Sequence, residues 1–242
     1  MATMAPVVRP VVTRRYDDPF FVGMSLAILG TVVLGFGPTY FYRGAVFAPL
    51  PSALVHVHGA IFSSWVILYV VQTALVAMKK IRWHRTLGTF GAVLAGLMVV
   101  LGWAVTITNV RRGHTPPIFT PAEFLVINCW GIVLFAAMVA WAVVKRRDGA
   151  AHKRLMLLAT IGIMPPAITR FQLMMHWPGF AVPLWMLALC VTVMAFDVWT
   201  RRRPHYATVV GTLVTFSVPM TANVLGKTAW LQGIAARLTG HV

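Results

Sequence analysis

Acidic side chains are scarce in this chain. Five Asp and Glu stand against 21 Lys and Arg in 242 residues, and charged residues of both signs make up only 11%. A soluble domain carries about a quarter charged residues, so this composition excludes an ordinary water-soluble globule. It also leaves little material for hydrolytic chemistry: no paired-carboxylate motif, phosphate loop or nucleophile triad is evident. Cysteine is nearly absent too. Cys129 and Cys190 both fall inside apolar runs, where they read as small buried apolar side chains. Two such residues exclude a disulfide framework and a thiolate metal cluster. There is no low-complexity segment.

Long hydrophobic runs are abundant instead. Hydrophobic residues make up 59% of the chain and the mean hydropathy is +0.78. A helix needs about 20 apolar residues to cross the hydrocarbon core of a bilayer. Seven runs meet that length, at 20–42, 53–78, 87–108, 122–144, 155–175, 181–199 and 207–225. They predict an all-α, polytopic bundle of seven transmembrane helices forming one integral membrane domain over residues 1–242. Residues 1–18 precede the first span. The tail, 226–242, places Trp230, Leu231, Ile234 and Leu238 at helical spacing, as expected of an amphipathic helix lying on the membrane.

Positive charge alternates between the gaps. Arg9, Arg14 and Arg15 precede the first span. Lys79, Lys80, Arg82 and Arg85 lie between the second and third. Lys145, Arg146, Arg147, Lys153 and Arg154 lie between the fourth and fifth, and Arg201, Arg202 and Arg203 between the sixth and seventh. The opposite gaps hold Arg43, Arg111 and Arg112 and are Pro-rich, at 47–51, 113–121 and 177–183. The bias predicts a cytoplasmic N-terminus, an external C-terminus and a multi-pass location in a bacterial inner membrane. The net charge of +16 then matches anionic lipid headgroups rather than nucleic acid. Lipids are the expected partners, with another membrane protein or a further copy of the chain as a second possibility.

Polar residues inside apolar runs are costly and usually face a protein interior or a wet cavity. The fifth run contains Pro165, Pro166, Arg170 and Gln172, a sequence that breaks the helical ladder and leaves an arginine in the outer third. In the second run His58, Phe62, Trp65, Tyr69 and Gln72 recur at steps of four and three and share one helix face. Glu123 and Asn128 fall near the outer start of the fourth run, His176 beyond the fifth and Asn223 near the outer end of the seventh. The sequence predicts an outer-half ligand pocket from Arg170, Asn128, Gln172, Glu123, Asn223, Trp65 and Tyr69. Arg170 is expected to be buried there, with Asn128, Glu123, His58 or Asn223 as its partners. His56, His58 and His176, with His114 as an alternate, are candidate ligands for copper or zinc if the His56–His58 segment is extended. Interfacial histidines bonded to main chain or water are the plainer alternative.

A second set lies at the basic rim: His84, His152 and His205, each opening an inward-to-outward helix. Asp197 sits one turn before Arg201–Arg203 and is expected to pair with Arg201, Arg85 or Arg154. A retinal protein is excluded by the last span, whose nearest lysine is Lys227 at its outer end.

The rim strings His84-Arg85-x-Leu87-Gly88 and His152-Lys153-Arg154-Leu155-Met156 resemble those of small bacterial polytopic proteins of the heme-handling, oxidase-assembly type. They are also similar to bacterial membrane families of undetermined role with an HR-x-LG rim. The resemblance covers two short motifs and the span pattern. It implies heme or copper contact at His84 and His152. No span carries two histidines about thirteen residues apart, so the chain departs from diheme cytochromes b. Two roles follow: a redox or oxidase-biogenesis protein with a heme or copper centre, or a non-enzymatic transport or lipid- and anion-binding protein built around Arg170.

Overall fold

The structure is a computed structural model that describes residues 14–42 and 52–240; Arg9, Arg43 and the 47–51 connection lie outside that range. The described residues are helical and contain no strand. The order is α1 (Arg14–Phe36), closing in a π-helical turn (Gly37–Phe41), then α2 (Ala53–Ala77), α3 (Ile81–Arg111), α4 (Pro121–Val144), α5 (Gly149–Gly162), α6 (Pro165–Met174), α7 (Ala181–Arg201), α8 (Tyr206–Leu225) and α9 (Ala229–Thr239). Six helices are long and apolar enough to cross a membrane, and seven if α5 and α6, bent by 42° at their break, count as one span. The bend has a local cause. Pro165 and Pro166 supply no N–H and their rings clash with the turn before them, so the ladder stops at Gly162 and restarts at Pro165.

The first helix starts earlier than its apolar run. Asp17 and Asp18 in its opening turns favour the positive end of the helix dipole. Asp17 is ion-paired with Lys153 and Asp18 with Lys79. These contacts extend α1 through Pro19 toward the basic end of the bundle. At its far end Gly35 permits close packing, because a Cβ there would collide with the main chain of Ala167 in α6.

Helix α5 is central. It touches α1, α4, α7 and α8, and the Trp65 indole of α2 donates to its Thr160 hydroxyl at 3.3 Å. Leu155, Leu157, Leu158, Ala159 and Ile161 are fully buried, as expected for a segment apolar on every side. The outer helices present Leu26, Val93, Val100, Leu184, Leu213 and Val224 to the surroundings. In water that surface would be a liability, whereas in lipid it is the normal exterior. The C-terminal helix forms as its spacing suggests and meets the bundle through its apolar stripe. Leu231, Ile234 and Leu238 pack, with buried Ala235, on Val110, Ala122 and Leu125 at the ends of α3 and α4. Only Trp230 of the predicted stripe is turned outward.

The basic end is locked by one buried ion pair. Arg154 and Asp197 are 1% and 0% exposed. The Arg154 Nε donates to Asp197 Oδ1 at 2.8 Å and Nη2 donates to the same oxygen. The other carboxylate oxygen accepts from the His205 main chain at 3.0 Å and from the Thr208 hydroxyl at 2.5 Å. Arg154 Nη1 reaches back to the Ala150 carbonyl at 2.9 Å. Of the three partners the sequence allows for Asp197, Arg154 is the one used, and it joins α5, α7 and α8.

Removing one member leaves a buried charge unpaired, which costs about 3–5 kcal/mol, whereas replacing both with apolar residues is nearly neutral. Asp197→Leu is therefore expected to lower the melting temperature in detergent far more than the Arg154→Leu/Asp197→Leu double variant. Equal losses would show that the pair carries no coupling.

Candidate functional site

The structure gives most of the residues expected to form one outer pocket local partners of their own. Glu123 is a helix cap: its carboxylate accepts from the Thr120 main chain at 2.9 Å while its own N–H donates to the Thr120 hydroxyl at 3.2 Å, with Pro121 opening the helix. The Asn128 amide donates to the Phe124 carbonyl one turn back at 2.8 Å. Asn223 accepts from Lys227 at 2.8 Å on an exposed surface. Gln172 is buried and donates to the Trp177 carbonyl at 3.3 Å, closing the end of α6. Trp65 and Tyr69 belong to the core.

Arg170 departs furthest from expectation. Its side chain is exposed, not buried. It donates to the Pro166 carbonyl of its own helix at 3.0 Å and lies over the Phe36 ring at 4.4 Å. The bend before α6 turns it toward α1 instead of toward α4 and α8, and none of Asn128, Glu123 and Asn223 is its partner. His58 is near enough to feel its charge.

The outer histidines also diverge. Residues 56 and 58 are helical, so their side chains leave α2 on different sides. His56 Nδ1 pairs with the Tyr40 hydroxyl at 3.0 Å. His58 lies against Phe62, with ring centres 4.1 Å apart, and its buried Nδ1 has no partner among the described residues. His114 and His176 are exposed in connections, His176 with a left-handed backbone at φ 53°. Among the described residues no three His, Cys, Asp or Glu side chains gather as a metal-ligating group. The expected three-nitrogen site is therefore not assembled.

The basic rim is different. His84 at the start of α3 and His152 at the start of α5 come together, with ring centres 6.2 Å apart and planes at 88°. His152 Nδ1 lies 2.8 Å from the Ala142 carbonyl. A carbonyl oxygen only accepts, so Nδ1 carries the hydrogen and Nε2 of the neutral ring keeps its lone pair. This is the arrangement that orients metal-binding imidazoles in known sites. The His84 ring sits close to the Gln72 main chain, and its Nδ1 is buried without a partner among the described residues. Gln72 Oε1 and the Tyr69 hydroxyl on α2 are likewise buried and unpartnered. Such groups in a folded interior call for a water, an ion or a ligand.

The α2 stripe explains why these atoms cluster. Helices α2 and α5 run in opposite directions, and Trp65 bonds Thr160. Stepping toward the basic end, Tyr69 and Gln72 descend on α2 while Met156 and His152 descend on α5. Sequence reasoning found His84, His152 and the stripe. It missed Thr160, Thr208 and the Ala142 carbonyl, because threonines and main-chain acceptors in apolar runs have no distinguishing pattern.

Comparison with protein-family models, with curated proteins and with solved structures gives no match. The resemblance carried by the two rim strings therefore assigns no family.

The third rim histidine has a structural task. His205 is buried, and its Nδ1 accepts from the Ala207 main chain at 3.1 Å, capping α8. Burial, with the charges of Arg154 and Arg201, holds its pKa below the ordinary histidine value. Protonation of Nδ1 would remove the acceptor. Because the unfolded chain takes up this proton first, the stability is complete above about pH 6.5 and is lost as pH falls below it. A His205→Asn variant keeps a capping acceptor that does not titrate. Its melting temperature is expected to fall less steeply than that of the wild type between about pH 6.5 and 5; parallel profiles would remove His205 from the acid response.

Proposed function

We propose that this multi-pass helical protein resides in a bacterial inner membrane, basic end to the cytoplasm, and holds a heme iron or a copper ion between His84 and His152 in a redox or oxidase-biogenesis role. The observation that carries the reading is the paired imidazoles. Two rings that share one metal from opposite sides have nitrogens about 2.0–2.1 Å from it and centres about 6.4 Å apart, allowing about 1.2 Å from each nitrogen to its ring centre. The rings here are separated by 6.2 Å. The Ala142 carbonyl fixes the His152 tautomer, and the buried His84 Nδ1 has no partner among the described residues. Imidazole nitrogen suits iron, copper and zinc and is a poor ligand for hard cations. Both helices start at the basic rim, so the pair lies near the membrane edge on rigid elements. The Arg154–Asp197 clasp, two residues beyond His152, supports that placement. A bound centre would supply electron transfer or metal delivery; the chain would contribute ligand nitrogens and their orientation.

A second reading rests on the other end. The exposed Arg170 guanidinium over Phe36, with His58 near it, is a cationic donor suited to an anionic or lipid ligand of a non-enzymatic binding or transport protein.

One preparation distinguishes the readings. The purified protein is expected to show a Soret band or to carry copper by elemental analysis, and His84→Ala and His152→Ala are expected to lose it. A colourless, metal-free wild type that takes up neither group on reconstitution would sink the metal reading and favour the Arg170 site. The orientation has its own check. A single cysteine placed at Arg147 should resist an impermeant thiol reagent added outside the cell, and one at Arg111 should react; the reverse pattern would overturn the assignment.

A further inference from the structure

We infer that the opening of α3 is a specific site for one anionic glycerophospholipid, with Arg82 as the ligand of its phosphate. The site is separate from the paired histidines and stands whichever group they take. A recess of about 370 Å³ at the basic end is lined by Arg82, Trp83 and Thr86, all in the first two turns of α3. The Thr86 hydroxyl donates to the Arg82 carbonyl at 3.2 Å. The donors left to the recess are therefore the Arg82 guanidinium and the Trp83 indole N–H. Arg82 has no ion-pair partner among the described residues.

The chain cannot neutralise Arg82 from within. Its five carboxylates are committed elsewhere: Asp17 to Lys153, Asp18 to Lys79 and Asp197 to Arg154. Asp148 caps α5 and Glu123 caps α4. Lys80 and Arg85, both exposed, lack an acid for the same reason. The first turn of α3 holds no acidic residue, and Lys80 supplies no side-chain cap. Nothing among the described residues competes with an anion there.

The helix face above the recess makes that anion a lipid. Thr86, Phe90, Val93, Leu97 and Val100 follow at steps of four and three and share one face of α3. The four apolar members are 45–66% exposed. From Thr86 to Val100 this ridge climbs about 21 Å at 1.5 Å per residue, enough for the acyl chains of one leaflet in a hydrocarbon core about 30 Å thick. A phosphate held at Arg82 thus has its chains laid along the helix that holds it. Charge selects the headgroup. The guanidinium fork binds two phosphate oxygens at once. An ammonium-bearing headgroup would bring another cation beside Lys80 and Arg85, whereas a glycerol headgroup brings hydroxyls and leaves the negative charge to meet them. Trp83, 63% exposed, is a side chain at home at headgroup level.

The test is native mass spectrometry of the full-length, delipidated protein in non-ionic detergent, titrated with phosphatidylglycerol or with phosphatidylcholine of the same acyl chains. The wild type is expected to retain one phosphatidylglycerol per chain under conditions that strip phosphatidylcholine. Arg82→Gln is expected to bind it at least about tenfold more weakly. Arg82→Lys should fall between, since an ammonium keeps the charge and loses the fork. Arg147→Gln removes the same charge from an exposed turn at the same end and should stay within about twofold of the wild type. Arg82 is exposed and unpaired, so circular dichroism and the lipid-free melting temperature of Arg82→Gln should match the wild type. Equal losses in Arg82→Gln and Arg147→Gln would reduce the site to general attraction by a basic surface and overturn it. Equal retention of the two lipids would overturn the headgroup assignment. Full displacement of the lipid by an equal concentration of inorganic phosphate would overturn the lipid in favour of a free anion.

Discussion

The buried contact between Arg154 and Asp197 determines how this bundle holds together. In lipid, apolar side chains gain little by leaving the solvent, because hydrocarbon tails are as apolar as leucine. Helix α7 illustrates the difficulty. Leu184, Leu187, Val191, Val198 and Trp199 face outward, and its inner face meets the bundle through a short set of contacts with α5, α6 and α8. The parallel stack of Phe196 on Phe20, with ring centres 3.8 Å apart, adds one anchor to α1. The carboxylate of Asp197 adds a stronger one: it gathers Arg154, the Thr208 hydroxyl and the His205 main chain. Every acceptor is used, which is the condition under which a buried charge is tolerated.

The clasp also determines the position of the rim histidines. Arg154 and His152 are two residues apart on one helix, so locking the guanidinium locks the register of α5 against α7 and α8. His205 then caps α8 beside the carboxylate, and His152 is left facing α3, where His84 meets it. One helix opening therefore separates a structural histidine from a pair with lone pairs to spare. At the opposite end there is no equivalent organiser. Glu123, Asn128, Asn223 and Arg170 each bond to their own helix or its cap, and the bend at Pro165–Pro166 directs Arg170 toward Phe36.

Buried polar atoms without a partner are spread over the described bundle, on Asp17, His58, Tyr69, Gln72, His84, Thr115 and Thr212. His84 Nδ1, Gln72 Oε1 and the Tyr69 hydroxyl are buried without partners among the described residues, where a membrane interior makes such vacancies expensive. The far end adds His58 Nδ1. The stripe from His58 to Gln72 thus runs through the bundle with a bonded centre, Trp65 to Thr160, and open valences on either side.

Architecture was legible in the sequence because the bilayer imposes it. Run length reports directly on a hydrocarbon slab, so six or seven long apolar helices, the proline break and the common face of Trp65, Tyr69 and Gln72 follow from local pattern. The pairing of His84 with His152 was accessible by the same route, since both open helices at the basic rim. Other facts depended on how helices rotate and neighbour one another. Sequence depth put Arg170, Glu123, Asn128 and Asn223 at one level but could not say that Arg170 turns to Phe36 while the other three find local partners. It offered three bases for Asp197, and only the packing of α5 against α7 selected Arg154. The tail's apolar stripe reads the same whatever it meets, and only the packing showed that it touches the ends of α3 and α4. A one-dimensional pattern reports position along the membrane normal; azimuth about it is settled only when the helices have packed.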